Sequence, residues 1–258
     1  MPSASLTVEE ASDAYANAMR NPAALRPGVC PICRTFHNPQ FGQCVACSQQ
    51  PNLLDAVAPI TYSVDSGQMH AALRGYKDDP HAQVRRFHAV RLTAILWRFL
   101  EGHEPCVAAA AGVDQFDLVT TVPSKSSDRD EERNQLRLIV GQWCEPTADR
   151  WRRVLRPAEP PILGRPFAER RYLADSGVAK KTVLLIDDTW TTGSSMQSAA
   201  AALREAGAQT VAAVVIGRHL RLDFAWEGGS TLTEYKKLPR AFDWGTCPVH
   251  ITGRVSYQ

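Results

Sequence analysis

Between Val183 and Ser195 the chain reads Val-Leu-Leu-Ile-Asp-Asp-Thr-Trp-Thr-Thr-Gly-Ser-Ser and then enters an alanine-rich stretch. Residues 183–186 have the composition of a strand buried on both faces, as in a parallel sheet. Asp187 and Asp188 stand where that strand should end, followed by Thr189, Thr191, Thr192, Gly193, Ser194 and Ser195. Either serine can cap a helix running to about residue 206. Ligands of open parallel sheets bind beyond the carboxyl ends of the strands. A helix N-terminus there offers unpaired N–H groups and about half a positive charge, which suits a phosphate monoester. Gly193 lets the backbone approach closely, and the Thr and Ser hydroxyls can donate hydrogen bonds. Two acids beside a phosphate would repel it unless they face something else. Ribose hydroxyls, which donate to carboxylates, are that partner. The segment reads as a ribose-5-phosphate site; the bland alternative is an ordinary strand–turn–helix whose Asp, Ser and Thr only cap.

Cys30-Pro-Ile-Cys33 and Cys44-Val-Ala-Cys47 form a second chemical cluster. Two such knuckles bring four thiolates together, which is what a tetrahedral structural zinc takes, with no position left open for catalysis. Pro31 stiffens the first knuckle and Gly42 permits a tight turn before the second. A rubredoxin-like iron site and two redox disulfides are the alternatives. His37 lies between the pairs, but four cysteines already fill the shell, so it reads as a solvated loop histidine. Cys106, Cys144 and Cys247 are scattered, which argues against a disulfide framework and an oxidising compartment.

The elements that must carry these groups follow from length and pattern. At 258 residues the chain can hold one good-sized domain and a small appendage. Thr7 and Glu10 form a capping box opening a helix to about residue 19. Residues 58–62 read as a short strand and residues 82–100 as an amphipathic helix. Residues 106–112 read as a loop or helix end. A strand at 117–122 and a helix from about 130 to 143 follow. Strand 182–187, helix 194–206 with Gly207 at its end, and strand 210–216 complete the alternation. That order implies a parallel sheet with helices on both faces. Residues 150–181 hold nine basic and three acidic side chains, a local net of +6. They read equally as a field for an anionic ligand or as a solvated arm. The aromatics after 219 read as packing on the core. A net charge of +2 gives no support to strong nucleic-acid binding. With no long apolar run and with Glu9 and Glu10 where a leader would be basic, the simplest location is cytoplasmic.

The acid pair followed by Thr-Thr-Gly resembles the loop that binds phosphoribosyl diphosphate (PRPP) in type I phosphoribosyltransferases. With a zinc ribbon upstream, the chain resembles the ComF family, linked with DNA-uptake competence, over roughly residues 30–217. Leu73-Arg-Gly-Tyr-Lys77 takes the place of that family's Leu-Lys-Tyr-like motif, and the family often has a small antiparallel element near residues 58–62. Asp117-Leu-Val-Thr-Thr-Val-Pro123, with Ser124 and Lys125, takes the place of its pyrophosphate loop. The resemblance implies a type I phosphoribosyltransferase-like parallel sheet with flanking helices plus a small N-terminal zinc ribbon. It divides the chain into a helix and linker (1–27), the ribbon (28–50), the phosphoribosyltransferase-like domain (55–218) and a C-terminal extension (219–258). It implies magnesium with PRPP, Asp187 and Asp188 on the ribose hydroxyls, residues 189–195 on the 5′-phosphate, and Ser124 and Lys125 on the pyrophosphate. The alternative is a non-catalytic competence accessory protein whose ribbon contacts single-stranded DNA or a protein partner. One departure bears on the pyrophosphate: Asp128, Asp130, Glu131 and Glu132 replace part of the family's Arg-Gly-Phe-Asn-Gln stretch and would crowd a diphosphate with like charge.

Overall fold

The computed structural model describes residues 6–249. In chain order it contains α1 (Val8–Asp13), α2 (Val45–Ser48), β1 (Ala56–Val64), α3 (Gln68–Asp78), α4 (Ala82–Ala110) and β2 (Leu118–Thr121). There follow α5 (Ser127–Glu132), α6 (Gln135–Leu138), a π-type turn (Ile139–Trp143), α7 (Glu145–Ala148), β3 (Leu155–Pro157) and β4 (Tyr172–Ala174). The chain continues through β5 (Thr182–Trp190), α8 (Ser194–Glu205), β6 (Thr210–Leu220), β7 (Ala225–Trp226), β8 (Gly229–Ser230) and α9 (Thr231–Lys236). The main sheet has the order β1-β6-β5-β2, and every neighbouring pair is parallel. No helix among the described residues is long and apolar enough to cross a membrane.

Side chains alternate across the pleat and both faces are covered, as a parallel sheet requires. On one face Ile60, Leu184, Ile186, Val214 and Ile216 meet Leu92, Ile95, Leu96 and Phe99 of α4. On the other, Val183, Leu185, Val211, Ala213 and Val215 meet Ala199, Ala200 and Leu203 of α8 and the four ribbon cysteines. The alanines let α8 lie close to the sheet, which brings its first turn to the strand ends. Gly207 ends α8 in the left-handed region (φ 91), as expected.

Several elements depart from the sequence expectation. β1 is a nine-residue strand in the main parallel sheet, not a short antiparallel element. Its Pro59 lacks an N–H, which only an edge strand tolerates, and β1 is an edge. The helix expected over 82–100 runs on to Ala110 as α4, 29 residues with Pro105 inside it, so residues 106–110 are its end, the helix-end alternative. Its apolar stripe continues through His103, Val107 and Ala108, and His103 masks the pattern by bonding the Trp244 carbonyl at 2.7 Å. The helix expected from 130 to 143 is broken at Arg133 and again by the π-type turn. β5 and β6 each overrun their expected ends. The ribbon's left-handed residues are Gly28 (φ 86) and Arg34 (φ 60), while Gly42 sits in a bend without a positive φ.

The capping box at α1 is present, with Thr7 Oγ1 accepting from the Glu10 N–H at 3.2 Å and Glu10 accepting from Thr7 at 2.9 Å. The tail aromatics pack as expected. Trp226 and Tyr235 lie against Tyr62 and Leu220, while Phe242 and Trp244 lie against the α4 side of the core. The last nine residues of the expected extension, 250–258, lie outside the described residues, as do the first five of the expected N-terminal helix-and-linker segment.

Gly217 of β6 sets the seat of α3. A Cβ there would stand 2.4 Å from Leu73 Cδ1 and 3.3 Å from Ser63 Cβ. Gly217→Ala is expected to push α3 outward and to cost about 1–3 kcal/mol, the usual range for overpacking. A lowered urea midpoint at unchanged slope checks this; an unchanged midpoint would show that α3 is not seated on this glycine.

Candidate functional site

The carboxyl ends of the parallel strands lie on one side of the sheet, and residues 187–195, the last four of β5, the turn after it and the start of α8, line the crevice there. Asp187 pairs in register with Val215, and Trp190 with Arg218. The chain turns through 191–193 into α8, whose N-cap is Gly193 at φ 86 rather than either serine. The reason is Trp190, which is buried beneath the loop. A Cβ on residue 193 would come within 2.2 Å of the Trp190 indole, so only glycine closes the turn. Ser194 instead donates its hydroxyl to the Arg165 carbonyl, and Thr192 Oγ1 lies 3.3 Å from Ser194 Oγ. The turn encloses a cavity of about 80 Å³ lined by Asp187, Thr189, Thr191, Thr192, Gly193, Ser194 and Ser195, with Trp190, Met196 and Val215. Liquid water takes about 30 Å³ per molecule, so this is space on the scale of one tetrahedral oxyanion.

The two acids differ. Asp188 is buried and accepts from Tyr76 Oη at 2.5 Å and from Lys77 Nζ at 2.5 Å. Burial, then the Asp188 charge, holds the Tyr76 hydroxyl well above its usual range, so it stays a neutral donor. Burial acts to lower Lys77, but Asp188, Asp187 and Asp78 more than offset it, and its ammonium is held charged. Asp187 is half-buried and accepts the Asp188 N–H at 2.8 Å. Burial first, and the Asp188 charge second, push it up to about 8, with Lys77 opposing. Tyr76 and Lys77 belong to the Leu73-Arg-Gly-Tyr-Lys77 motif. The sequence showed the motif, but no local signal assigned these two side chains to the acids.

Beside Asp187 a cavity of about 310 Å³ is walled by Ser124, Lys125, Arg129, Arg133, Tyr76 and Tyr172 among others. Two of the four acids expected to crowd a diphosphate, Asp130 and Glu131, are paired with arginines. Asp130 is buried, accepts the Ser124 N–H at 2.8 Å, and pairs with Arg137 at 2.5 Å and Arg153 at 3.0 Å. Glu131 shares both arginines. Arg133 pairs with Asp78 at 2.6 Å. Lys125 donates to the Gly164 carbonyl, and its ammonium is lowered by burial, then by Arg171, Arg165 and Arg129. Such a concentration of positive charge is what an anion would relieve.

The basic stretch is neither wholly field nor wholly solvated arm. Arg150 grips Glu104 at 2.6 Å, and buried Arg171 donates to the Pro166 carbonyl at 2.5 Å and to Ser198 Oγ at 3.3 Å. The second contact ties the 158–171 arm to α8. A further cavity of about 720 Å³ joins Arg165, Lys125 and Lys77 to the loop threonines.

The four cysteines come together behind this loop. Their Sγ atoms lie within 4.8 Å of one another, and all four residues are buried. Cys33 Sγ and Cys44 Sγ are 3.7 Å apart, far beyond the roughly 2.05 Å of a disulfide. Four ligands at about 2.3 Å around a tetrahedral ion stand roughly 3.8 Å apart, so the donor set fits a structural zinc. His37 is buried rather than solvated; its Nδ1 lies 2.8 Å from the Asn38 carbonyl and it takes no part in the cluster. Buried Arg218 joins the cluster to the crevice. Its Nε donates to the Cys33 carbonyl at 3.0 Å, its Nη2 lies 3.4 Å from Cys33 Sγ, and its Nη1 donates to the Trp190 carbonyl at 3.1 Å. Gln50 adds a bond to the Thr192 carbonyl at 2.6 Å.

A parallel sheet with helices on both faces, a helix N-terminus behind a hydroxyl-rich loop, and a four-cysteine unit at its back define a type I phosphoribosyltransferase-like fold with a small N-terminal ribbon. The comparison by sequence agrees: residues 154–229 match the family model described as phosphoribosyl transferase domain, a span that holds β5, the loop, α8 and β6. No curated protein matches the chain significantly.

Three outcomes follow. Gly193→Ala combines a left-handed φ with the Trp190 clash, and is expected to shift tryptophan emission and to cost about 2 kcal/mol or more by urea unfolding. The protein is expected to carry one zinc per chain by elemental analysis. Arg218→Gln should retain that zinc yet loosen residues 190–193, read as faster amide exchange there; unchanged exchange would show that the guanidinium does not hold the loop.

Proposed function

We propose that this chain binds PRPP and transfers its phosphoribosyl group to a nitrogenous acceptor with release of pyrophosphate. The observation that carries the reading is the oxyanion-sized cavity at the start of α8, directly beside Asp187. In this reading the N–H groups at the start of α8 and the hydroxyls of Thr189, Thr191, Thr192 and Ser195 hold the 5′-phosphate, with Gly193 giving the close approach and Ser194, whose hydroxyl is given to the Arg165 carbonyl, fixing the turn. Asp187 accepts from the ribose hydroxyls. Asp188 is fixed by Tyr76 and Lys77, and the Lys77 ammonium offsets its charge. Ser124, Lys125 and Arg129 meet the diphosphate.

Breaking the bond from ribose C1 to the diphosphate leaves positive charge on the sugar and negative charge on the leaving group. The protein's part is then positioning and electrostatic stabilisation, with Lys125, Arg129 and Arg165 supplying the positive field. The oxygen donors here, Asp187 and the substrate's own phosphates, suit magnesium, which would neutralise part of the diphosphate charge when bound. The ribbon zinc is structural in this reading, and the ribbon-plus-loop arrangement is ComF-like. A second reading is ligand binding without transfer, by a competence accessory protein whose ribbon contacts single-stranded DNA or a protein. It draws on Asp188 being already paired, which leaves Asp187 as the acid free to meet a ribose.

The test is calorimetric titration with PRPP and magnesium, followed by a nucleobase screen for pyrophosphate release. Asp187→Asn combined with Asp188→Asn should weaken binding at least tenfold and abolish release. Binding without release from any acceptor favours the second reading; no binding removes both. The pH dependence has a definite sign. A carboxyl held up near 8 is protonated below that pH and accepts ribose hydroxyls best once ionised. Affinity should therefore climb from about pH 6 to about pH 8, and the climb should vanish in Asp187→Asn. The same raised value means that the unliganded fold loses stability as pH rises from the unfolded value, about 4, through 8.

A further inference from the structure

Asp65 directly follows β1, His70 lies in the first turn of α3, and His219 stands near the end of β6, opposite Ser63. Their ligating atoms lie within 4.8 Å of one another. Nε2 of His70 is 3.7 Å, and Nε2 of His219 is 3.8 Å, from the same Asp65 Oδ1. Both distances are too long for hydrogen bonds. The imidazole centroids are 5.2 Å apart with the rings tilted by 43°, so the rings are not stacked face to face. The nearest point equidistant from three atoms so spaced lies at most about 2.4 Å from each, within a few tenths of an ångström of a zinc–imidazole or zinc–carboxylate bond.

We propose that Asp65, His70 and His219 bind a divalent first-row transition ion at the rim of the crevice. Two imidazoles and one carboxylate select zinc, cobalt or manganese over magnesium and calcium, which want oxygen ligands throughout. Three protein ligands leave at least one coordination position open. The three residues line the same cavity of about 720 Å³ as Arg74, Arg221 and the loop threonine Thr192. The open position therefore lies where a small anion or a nitrogen heterocycle in that cavity would complete the shell. Arg74 and Arg221 repel a bare cation and attract an anion, so binding is weaker than at the four thiolates and tightens when an anionic ligand enters with the metal. The site is separate from the cysteine cluster and stands whether or not the phosphoribosyl reading holds.

The test uses the full chain with zinc on its cysteines, freed of loosely held metal and titrated with cobalt(II) near neutral pH without PRPP. Calorimetry and visible absorption should report one further equivalent, with weak ligand-field bands and no thiolate-to-metal band. His219→Ala and Asp65→Asn should each weaken that equivalent at least tenfold while keeping the cysteine-bound zinc and the far-ultraviolet circular dichroism of the wild type. Should His219→Ala fail to fold, His70→Ala, at the start of α3, carries the same expectation. Absence of a second equivalent in the wild type, or a second equivalent that these variants bind unchanged, overturns the proposal. Since PRPP binding is read separately through Asp187 and Asp188, failure here leaves that reading untouched.

Discussion

A guanidinium buried as deeply as Arg218 is tolerable only if its donors are satisfied and its charge is balanced. Both conditions are met by two segments far apart in sequence. The Cys33 carbonyl and sulfur lie on one side and the Trp190 carbonyl on the other. Four thiolates around a zinc carry a net negative charge, which is the counterion that such a site needs. The position of the loop at residues 190–193 thus depends on the ribbon behind it. Trp190 then passes the constraint forward, since its indole fills the space beneath Gly193 and fixes where the first turn of α8 begins.

Charge is distributed around the crevice by a second set of pairings. Asp188 is matched by Lys77, Asp130 by Arg137 and Arg153, and Arg133 by Asp78. What is left facing the cavities is uneven: Lys125, Arg129 and Arg165 are crowded together with like charges, while burial and the Asp188 charge push the Asp187 carboxyl up to about 8. Both imbalances are relieved by one kind of ligand, a polyanion whose other end presents hydroxyls or a cation. Groups with shifted pKa values are enriched at binding sites and also occur in structural ion-pair networks.

Much of the arrangement was readable along the chain because it is local. The run from Val183 to Ser195 places an apolar strand, two acids, hydroxyls and a glycine within one strand–turn–helix, so that segment and its setting could be expected together. The cysteine spacing likewise brings two knuckles together without help from the rest of the fold. Local patterns misjudged the lengths of β1, β5, β6 and α4, because strand ends are set by pairing partners and α4 is extended by the core it covers. They also set the ribbon's special glycine at Gly42, whereas its left-handed positions are Gly28 and Arg34.

The sequence by itself determined the alternating strand–helix order, the four-thiolate cluster and the chemical inventory of the crevice, since each depends on residues within a turn or a strand of one another. Only the tertiary structure decided which charges remain free. Tyr76 and Lys77 reach Asp188 from more than a hundred positions away, and Arg153 reaches Asp130 across the intervening α6, π-type turn and α7. A charge run carries no sign of its eventual partner. The sheet sets that partner when its parallel strands deliver their carboxyl ends, and the helices packed on them, to one place.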